Sequence, residues 1–391
     1  MQLAQRLAPL QHNVFADMDQ AKAGAIAAGQ PIIDLSLGSS DLSTPEHVLT
    51  EMAAALRDPV THGYALFHST QPFRQAVARW YGRKWGVAVD PETEVLPLIG
   101  SQEGTAHLPL AVLNPGEFAL LTDPGYPSHA GGVYLASGQI YAMPLLAENQ
   151  FLPVFADIPE PVLEQSRMMV LSYPHNPTTG TATLDFFKAA VDFCRTHALV
   201  LVHDFPYGDL VFTGDLAPSV LQADPDKSVS IEFFSFSKSY NMGGFRVGFA
   251  IGNPELIKAL RQVKANVDFN QYRGILRGAI AALEGPQTCV TQMVDTFRTR
   301  RDVTIAALNE MGWPVPQPDA TMYLWARLPE AWADDSIRFC TELVTQTGVA
   351  LSPGRGFGKA GEGYVRFALV HPPETLAVAV AKIAGFLEGT A

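Results

Sequence analysis

Ser235-Phe236-Ser237-Lys238-Ser239-Tyr240-Asn241-Met242-Gly243-Gly244-Phe245-Arg246-Val247-Gly248 puts a lysine and an arginine on one short loop, directly after the apolar run at 231–236. An amine can hold an aldehyde as a Schiff base only while it spends time neutral. A second cation nearby lowers its proton affinity and can itself pair with a phosphate. Arg246, eight residues beyond Lys238, can be that cation. Ser235, three residues before the lysine, offers a hydroxyl and a backbone N–H to the same phosphate. The glycines let the chain turn and come close to a ligand. Taken alone, the loop leaves open a solvated lysine and arginine beside a glycine turn.

Working outward, the run at 231–236 is one of seven short apolar runs, the others being 95–99, 118–122, 139–144, 168–172, 199–203 and 246–251. Most are separated by stretches long enough for helices. This alternation predicts an α/β fold with a mainly parallel seven-stranded sheet between helices, and the close spacing of the last two runs predicts an antiparallel pair there. Helices are predicted over 103–113, stopped by Asn114-Pro115-Gly116, and over 184–197. After residue 251 helical stretches follow to about 266, over 275–283 and over 287–311, the last long enough to link two units. Beyond Trp313-Pro314-Val315-Pro316 the order strand 323–328, helix 336–347, strand 364–368 and helix 374–387 predicts a smaller α+β domain.

The composition is that of an ordinary globular protein. Its 391 residues, 47% hydrophobic and 17% charged, can fill two domains. The balance 27 − 39 = −12, with no basic run, lacks the electrostatic footprint for nucleic acid or an anionic membrane. Cys194, Cys289 and Cys340 have neither disulfide-framework nor zinc-site spacing, so no metal is predicted and a reducing, cytoplasmic setting is expected. Arg6, Asp17, Asp19 and Lys22 break any apolar run over 1–28, which argues against a signal peptide or a membrane span.

One ligand satisfies the lysine, the arginine and the serine together: pyridoxal 5′-phosphate. Its ring nitrogen must stay protonated to draw electrons, which needs a buried carboxylate. Asp204, immediately past the strand at 199–203, is placed for that, ahead of Asp209 further along the loop, while His203 reads as structural. Leu98-Ile99-Gly100-Ser101-Gln102-Glu103-Gly104 runs from strand through glycine into helix, so Ser101 and Gln102 can offer N–H groups to the phosphate, with Glu103 suiting the first turn as a cap. Arg366, among apolar neighbours in Tyr364-Val365-Arg366-Phe367-Ala368, calls for an anion, and its planar fork matches a carboxylate. Arg355 reads as a solvated loop residue. Tyr173-Pro174-His175-Asn176-Pro177-Thr178-Thr179-Gly180 is predicted to be extended by its prolines.

Ser235-x-Ser237-Lys238-x7-Arg246, together with Asp204-x-x-Tyr207 and the Asn176-Pro177 segment, resembles the fold-type I pyridoxal-phosphate enzymes, specifically the class I/II aminotransferases, over nearly the whole chain. The resemblance implies that Tyr207 and Asn176 donate to the cofactor's phenolic oxygen and that Tyr126 stacks over its ring. It also implies that Gly38 lines the substrate pocket, that Asn176 and Arg366 take part in substrate binding, and that Tyr64 reaches the phosphate held by the other subunit of a homodimer. It implies a large domain over 45–285 and a small domain formed by 1–44 with 286–391. Two departures stand out: Ser69 where glycine is common, and Gly38-Ser39-Ser40-Asp41 where Gly-x-Pro-Asp is frequent. Arg273, in Asp268-Phe269-Asn270-Gln271-Tyr272-Arg273, is a candidate for a distal substrate carboxylate or a solvated helix-start residue.

The implied reaction moves an amino group between an L-amino acid and a 2-oxo acid. Lys238 is the covalent anchor that also moves the α-proton, and Asp204 keeps the ring protonated. The segments look more like diaminopimelate-type aminotransferases than aromatic-specific ones. A carbon–sulfur β-lyase on the same scaffold is the alternative, and a non-catalytic pyridoxal-phosphate-binding regulator is a more distant one.

Overall fold

A computed structural model describes residues 3–10, 14–214 and 216–389. Expectations that touch residues 1–2, 11–13 and 390–391, at the ends and bounds of the small domain, lie outside the described residues. In chain order the strands are β1 (Ile33–Asp34), β2 (Val95–Leu98), β3 (Phe118–Asp123), β4 (Gln139–Pro144), β5 (Ser166–Leu171), β6 (Val200–Asp204), β7 (Ser230–Ser235), β8 (Gly248–Gly252), β9 (Tyr323–Arg327), β10 (Val349–Ala350), β11 (Ser352–Pro353) and β12 (Tyr364–Ala368).

Seven of them form one sheet in the order β2-β8-β7-β6-β5-β3-β4. Strands β3 to β7 pair in parallel, and β8 runs antiparallel to both β7 and β2. That arrangement leaves β2 pointing the same way as β7. The carboxyl ends of β2, β3, β5, β6 and β7 therefore share one edge, where a doubly covered sheet opens to ligands.

The strands are apolar because both faces are covered. Met169 and Leu171 join a core with Phe187 and Val191 of the helix Leu184–Thr196, Trp80 of Gln71–Trp85 and Leu276 of Arg273–Glu284. Their neighbours Met168 and Val170 face the opposite core, with Leu108 of Ser101–Val112 and Val133 of Pro127–Leu135. This is the period-two alternation of a strand with helices on each side.

Two local readings need correction. Strand β8 starts at Gly248 rather than 246, because Arg246 has φ +50°, a left-handed conformation that no strand accommodates. The Asn176 segment is turned rather than extended, with the His175 N–H donating to the Gly180 carbonyl (2.8 Å) and that of Thr179 to the His175 carbonyl (2.9 Å).

A second buried core gathers Met18, Leu35, Leu324, Leu343, Phe367 and Ile383. It contains the antiparallel sheet β11-β12-β9 and, beside it, β1 paired in parallel with β10. The helix Thr288–Glu310, 23 residues and about 34 Å long, starts against the large sheet's core with Cys289 and Val290, then enters the second core at Met293. No helix among the described residues is long and apolar enough to cross a membrane.

Candidate active site

Strand β7 delivers Lys238. Ser235 caps the single turn Phe236–Ser239 by accepting from the Ser237 N–H (3.2 Å), so Lys238 leaves the sheet edge in a fixed direction. Its Nζ donates to the Gly38 carbonyl and lies 5.9 Å from the centre of the Tyr207 ring. Burial lowers the amine's pKa, and the charges of Arg366 and Arg246 lower it further against the opposing pull of Tyr323. The second cation inferred from the sequence is thus present, although desolvation is the larger cause.

At the end of β2, Gly100 has φ +77°, and a Cβ there would come within 2.6 Å of the Arg246 guanidinium. Only glycine lets the arginine cross this turn. Ser101 and Gln102 follow as the first residues of the helix Ser101–Val112, whose opening N–H groups have no partner in their own helix. Beneath them the carboxylate of Glu103 accepts from Lys264 Nζ (2.7 and 2.9 Å) and from the Ile99 N–H. It braces the turn from inside.

From β6, Asp204 is buried. Its Oδ2 bonds His129 Nε2 at 3.0 Å, while Oδ1 is buried with no partner. An uncompensated carboxylate oxygen is costly, so Oδ1 awaits a donor. Behind it His175 is held near pKa 3 by burial and by His129. Tyr126, at the start of Pro127–Leu135, is half-buried with its ring edge-on to His129 at 5.6 Å. Burial, and behind it the charge of Asp204, raise its hydroxyl's pKa.

From β12, Arg366 is buried and has no acidic partner among the described residues. It donates to Asn176 Oδ1 (2.7 Å), the Ser36 carbonyl (2.7 Å) and Ser352 Oγ (3.2 Å), all neutral, and its Nε has no partner. A buried cation ringed by uncharged acceptors is a receptor for an anion. Its guanidinium lies 4.3 Å over the ring of Tyr323, whose hydroxyl meets that of Tyr207 at 2.8 Å. The Gly38–Asp41 loop is tied down by Ser40 Oγ to Asn241 Oδ1 (2.8 Å) and by a two-pronged Asp41–Arg300 pair (2.6 and 2.8 Å).

Lys238, Asp204, Tyr207, Asn176, Arg366, Gly38, Tyr126, Ser235, Arg246 and Ser101 therefore line or border one region where the two cores meet, and Gln102 follows Ser101 with its side chain exposed. Tyr64 stands apart, 87% exposed and edge-on to Phe269 at 6.2 Å. Arg273 donates to the Val60 carbonyl (2.6 Å) and Arg355 is exposed. Asp209 is paired with Lys84, and His203 bonds Glu232 (2.8 Å) inside the core. The sequence reading missed His129, Ser36, Ser352 and Tyr323. Of these only His129 carried a signal, three residues beyond Tyr126 and so one helical turn away.

The family model for aminotransferase class I and II matches residues 30–383. The chain belongs to the class I and II aminotransferases. It is 43% identical, over 99% of both chains, to an LL-diaminopimelate aminotransferase of Dehalococcoides mccartyi. It is 40% identical, over 98% of both, to one of Moorella thermoacetica. Among solved structures, a probable N-succinyldiaminopimelate aminotransferase of Thermus thermophilus superposes with TM-score 0.90 at 44% identity, covering 95% of this chain and 99% of that one. As an aminotransferase of this fold type, the chain is a pyridoxal-phosphate-dependent enzyme that exchanges amino groups between an L-amino acid and a 2-oxo acid; the carbon–sulfur lyase alternative is not favoured. The residues present fit the cofactor. Asp204 Oδ1 lacks a donor, and Lys238 and Arg246 have no acid partner among the described residues.

Proposed function

We propose that Lys238, Asp204 and Arg366 divide the work of this aminotransferase, and the unpartnered Asp204 Oδ1 in the region shared with Lys238 carries the reading. When bound, pyridoxal phosphate supplies an aldehyde that accepts the amino group and a protonated ring that draws electrons from the substrate's α-carbon. Lys238 anchors it, and its lowered pKa suits the amine to take the proton from the α-carbon. Asp204 Oδ1 would hold a proton at the ring nitrogen, with His129 fixing that carboxylate's orientation. Tyr207 and Asn176 would donate to the phenolic oxygen, Tyr126 would cover the ring, and Ser101, Gln102, Ser235 and Arg246 would hold the phosphate. Arg366 takes the α-carboxylate, and Gly38, which borders the pocket, gives its side-chain space to the Tyr323 hydroxyl.

For the amino donor we infer an L-amino acid of the diaminopimelate class, on the ground of full-length relatives named for LL-diaminopimelate and N-succinyldiaminopimelate. Following the loss of the holoenzyme's visible absorbance across a panel of amino acids tests this. LL-diaminopimelate or its N-succinyl derivative should react fastest, and a tenfold preference for an aromatic or short aliphatic amino acid would refute the assignment.

We also infer a homodimer. The exposed Tyr64 points to a role on the partner subunit's phosphate, because no contact ties it to Lys238 of its own chain among the described residues. Mixing Lys238→Ala with Tyr64→Ala protein checks it. Hybrids with one intact composite site should restore about a quarter of wild-type activity by random pairing, whereas no gain over the separate variants contradicts shared sites. In this reading 45–285 form the large unit and 1–44 with 286–391 the small one. A cytoplasmic home is supported by Cys194, Cys289 and Cys340, all free thiols, and recovery of the protein in a secreted fraction would contradict it.

A further inference from the structure

Tyr323, the first residue of β9, holds a place that its position in the chain does not announce. Its hydroxyl lies 2.8 Å from that of Tyr207, with the two rings edge-on at 5.7 Å. The Arg366 guanidinium covers the Tyr323 ring at 4.3 Å. A Cβ on Gly38 would fall 2.0 Å from the Tyr323 hydroxyl, so this phenol occupies the space that Gly38 leaves empty, beside the carbonyl that accepts from Lys238. The side chain is buried. A single side chain thus neighbours the second phenol, the residue whose carbonyl accepts from the lysine, and the carboxylate-binding arginine.

A phenol has one proton to donate. If Tyr207 gives its proton to the cofactor's phenolic oxygen, its own oxygen is left as an acceptor, and the neighbour shown for it is Tyr323. We propose that Tyr323 is a positioning residue that donates to Tyr207, so that Tyr323, Tyr207 and the phenolic oxygen form one polarised chain of hydrogen bonds. The chain strengthens Tyr207 as a donor, because hydrogen bonds in series polarise one another in a buried site. The electrostatics run the same way. Burial pushes both phenols up, yet the charges of Lys238 and Arg366 bring Tyr323 below the ordinary tyrosine value while Tyr207 is raised well above it. The stronger acid is the natural donor and the weaker one the natural acceptor. Lys238 pulls Tyr323 down and Arg366 pulls on both phenols, which favours Tyr323 as the donor of a bond that either hydroxyl could give.

The inference rests on the assignment of Lys238 and Tyr207 above, and its test separates the two. The readout is the pH at which the visible absorbance of the substrate-free holoenzyme changes, which reports proton affinity at the Lys238 nitrogen rather than turnover. Donation to the phenolic oxygen stabilises its negative charge and lowers that affinity, so weakening the donor should raise the transition pH. Tyr207→Phe is expected to move it upward by about one unit and Tyr323→Phe by roughly half a unit. In the Tyr207→Phe background, Tyr323→Phe should add nothing, because Tyr323 acts through Tyr207. A Tyr207→Phe shift with an unmoved Tyr323→Phe overturns the role of Tyr323 alone, and so do two shifts that simply add. If Tyr207→Phe itself leaves the transition in place, the placement of Tyr207 falls and this inference with it. Should Tyr323→Phe fold poorly, Tyr323→Leu, which also has no donor, gives a second comparison: an upward shift of roughly half a unit supports the relay, and a transition unmoved from wild type overturns it.

Discussion

Replacing Lys238 by alanine is expected to lower turnover by at least about 10⁴-fold, since one amine serves as covalent anchor and proton carrier. The measurement has two parts. Steady-state transamination should vanish into background, and borohydride treatment of the reconstituted protein should leave no cofactor attached at position 238. Folding is a poor explanation for such a loss, because the amine has no acid partner among the described residues that its removal would strand in the core. The cofactor-free variant should therefore unfold within about 3 °C of wild type. Near-normal exchange in Lys238→Ala would remove the basis of every role assigned around it.

Asp204→Asn is the second large effect. The substitution keeps the shape and can still meet His129, yet it deletes the negative charge from a buried oxygen that has no other partner. Loss of a preorganised electrostatic contact in a dry site costs on the order of 10²–10³-fold in kcat. The charged hydrogen bond it makes in the ground state is worth about 1.5–3 kcal/mol, so cofactor affinity should fall roughly ten- to hundredfold as well. Both quantities can be read separately, by turnover under saturating cofactor and by equilibrium titration of the cofactor-free protein. A variant within threefold of wild type in each would show that ring protonation is maintained elsewhere.

The parts of this site that could be inferred from the sequence are those built by consecutive residues. Ser235, Lys238 and Arg246 share one loop, Asp204 and Tyr207 another, and each follows a run whose burial on both faces dictated a strand. A strand's end tells where its next residue points, so local pattern sufficed. Most strand limits moved by one or two residues, and at Arg246 the cause is its left-handed φ. Tyr323, Ser36 and Ser352 escaped notice for a different reason. They reach Tyr207 and Arg366 from 116, 330 and 14 residues away in the chain, Ser352 as the cross-strand partner of Arg366 and the other two through tertiary packing. Tyrosine and serine at strand ends are too ordinary to mark themselves. The Ser40 departure from the family pattern gained a reason only in three dimensions, where its hydroxyl bonds Asn241 and moors the loop to the lysine segment. Proline could not make that bond.

The neutral surroundings of Arg366 have a bearing on how the enzyme responds to acidity. A guanidinium does not lose its proton in the working range, and an amide, a backbone carbonyl and a hydroxyl have none to exchange there. Recognition of the substrate's carboxylate is consequently indifferent to pH. Any bell or slope in a rate profile then originates away from this arginine, at Lys238 and the phenols beside it or at the Asp204–His129 pair.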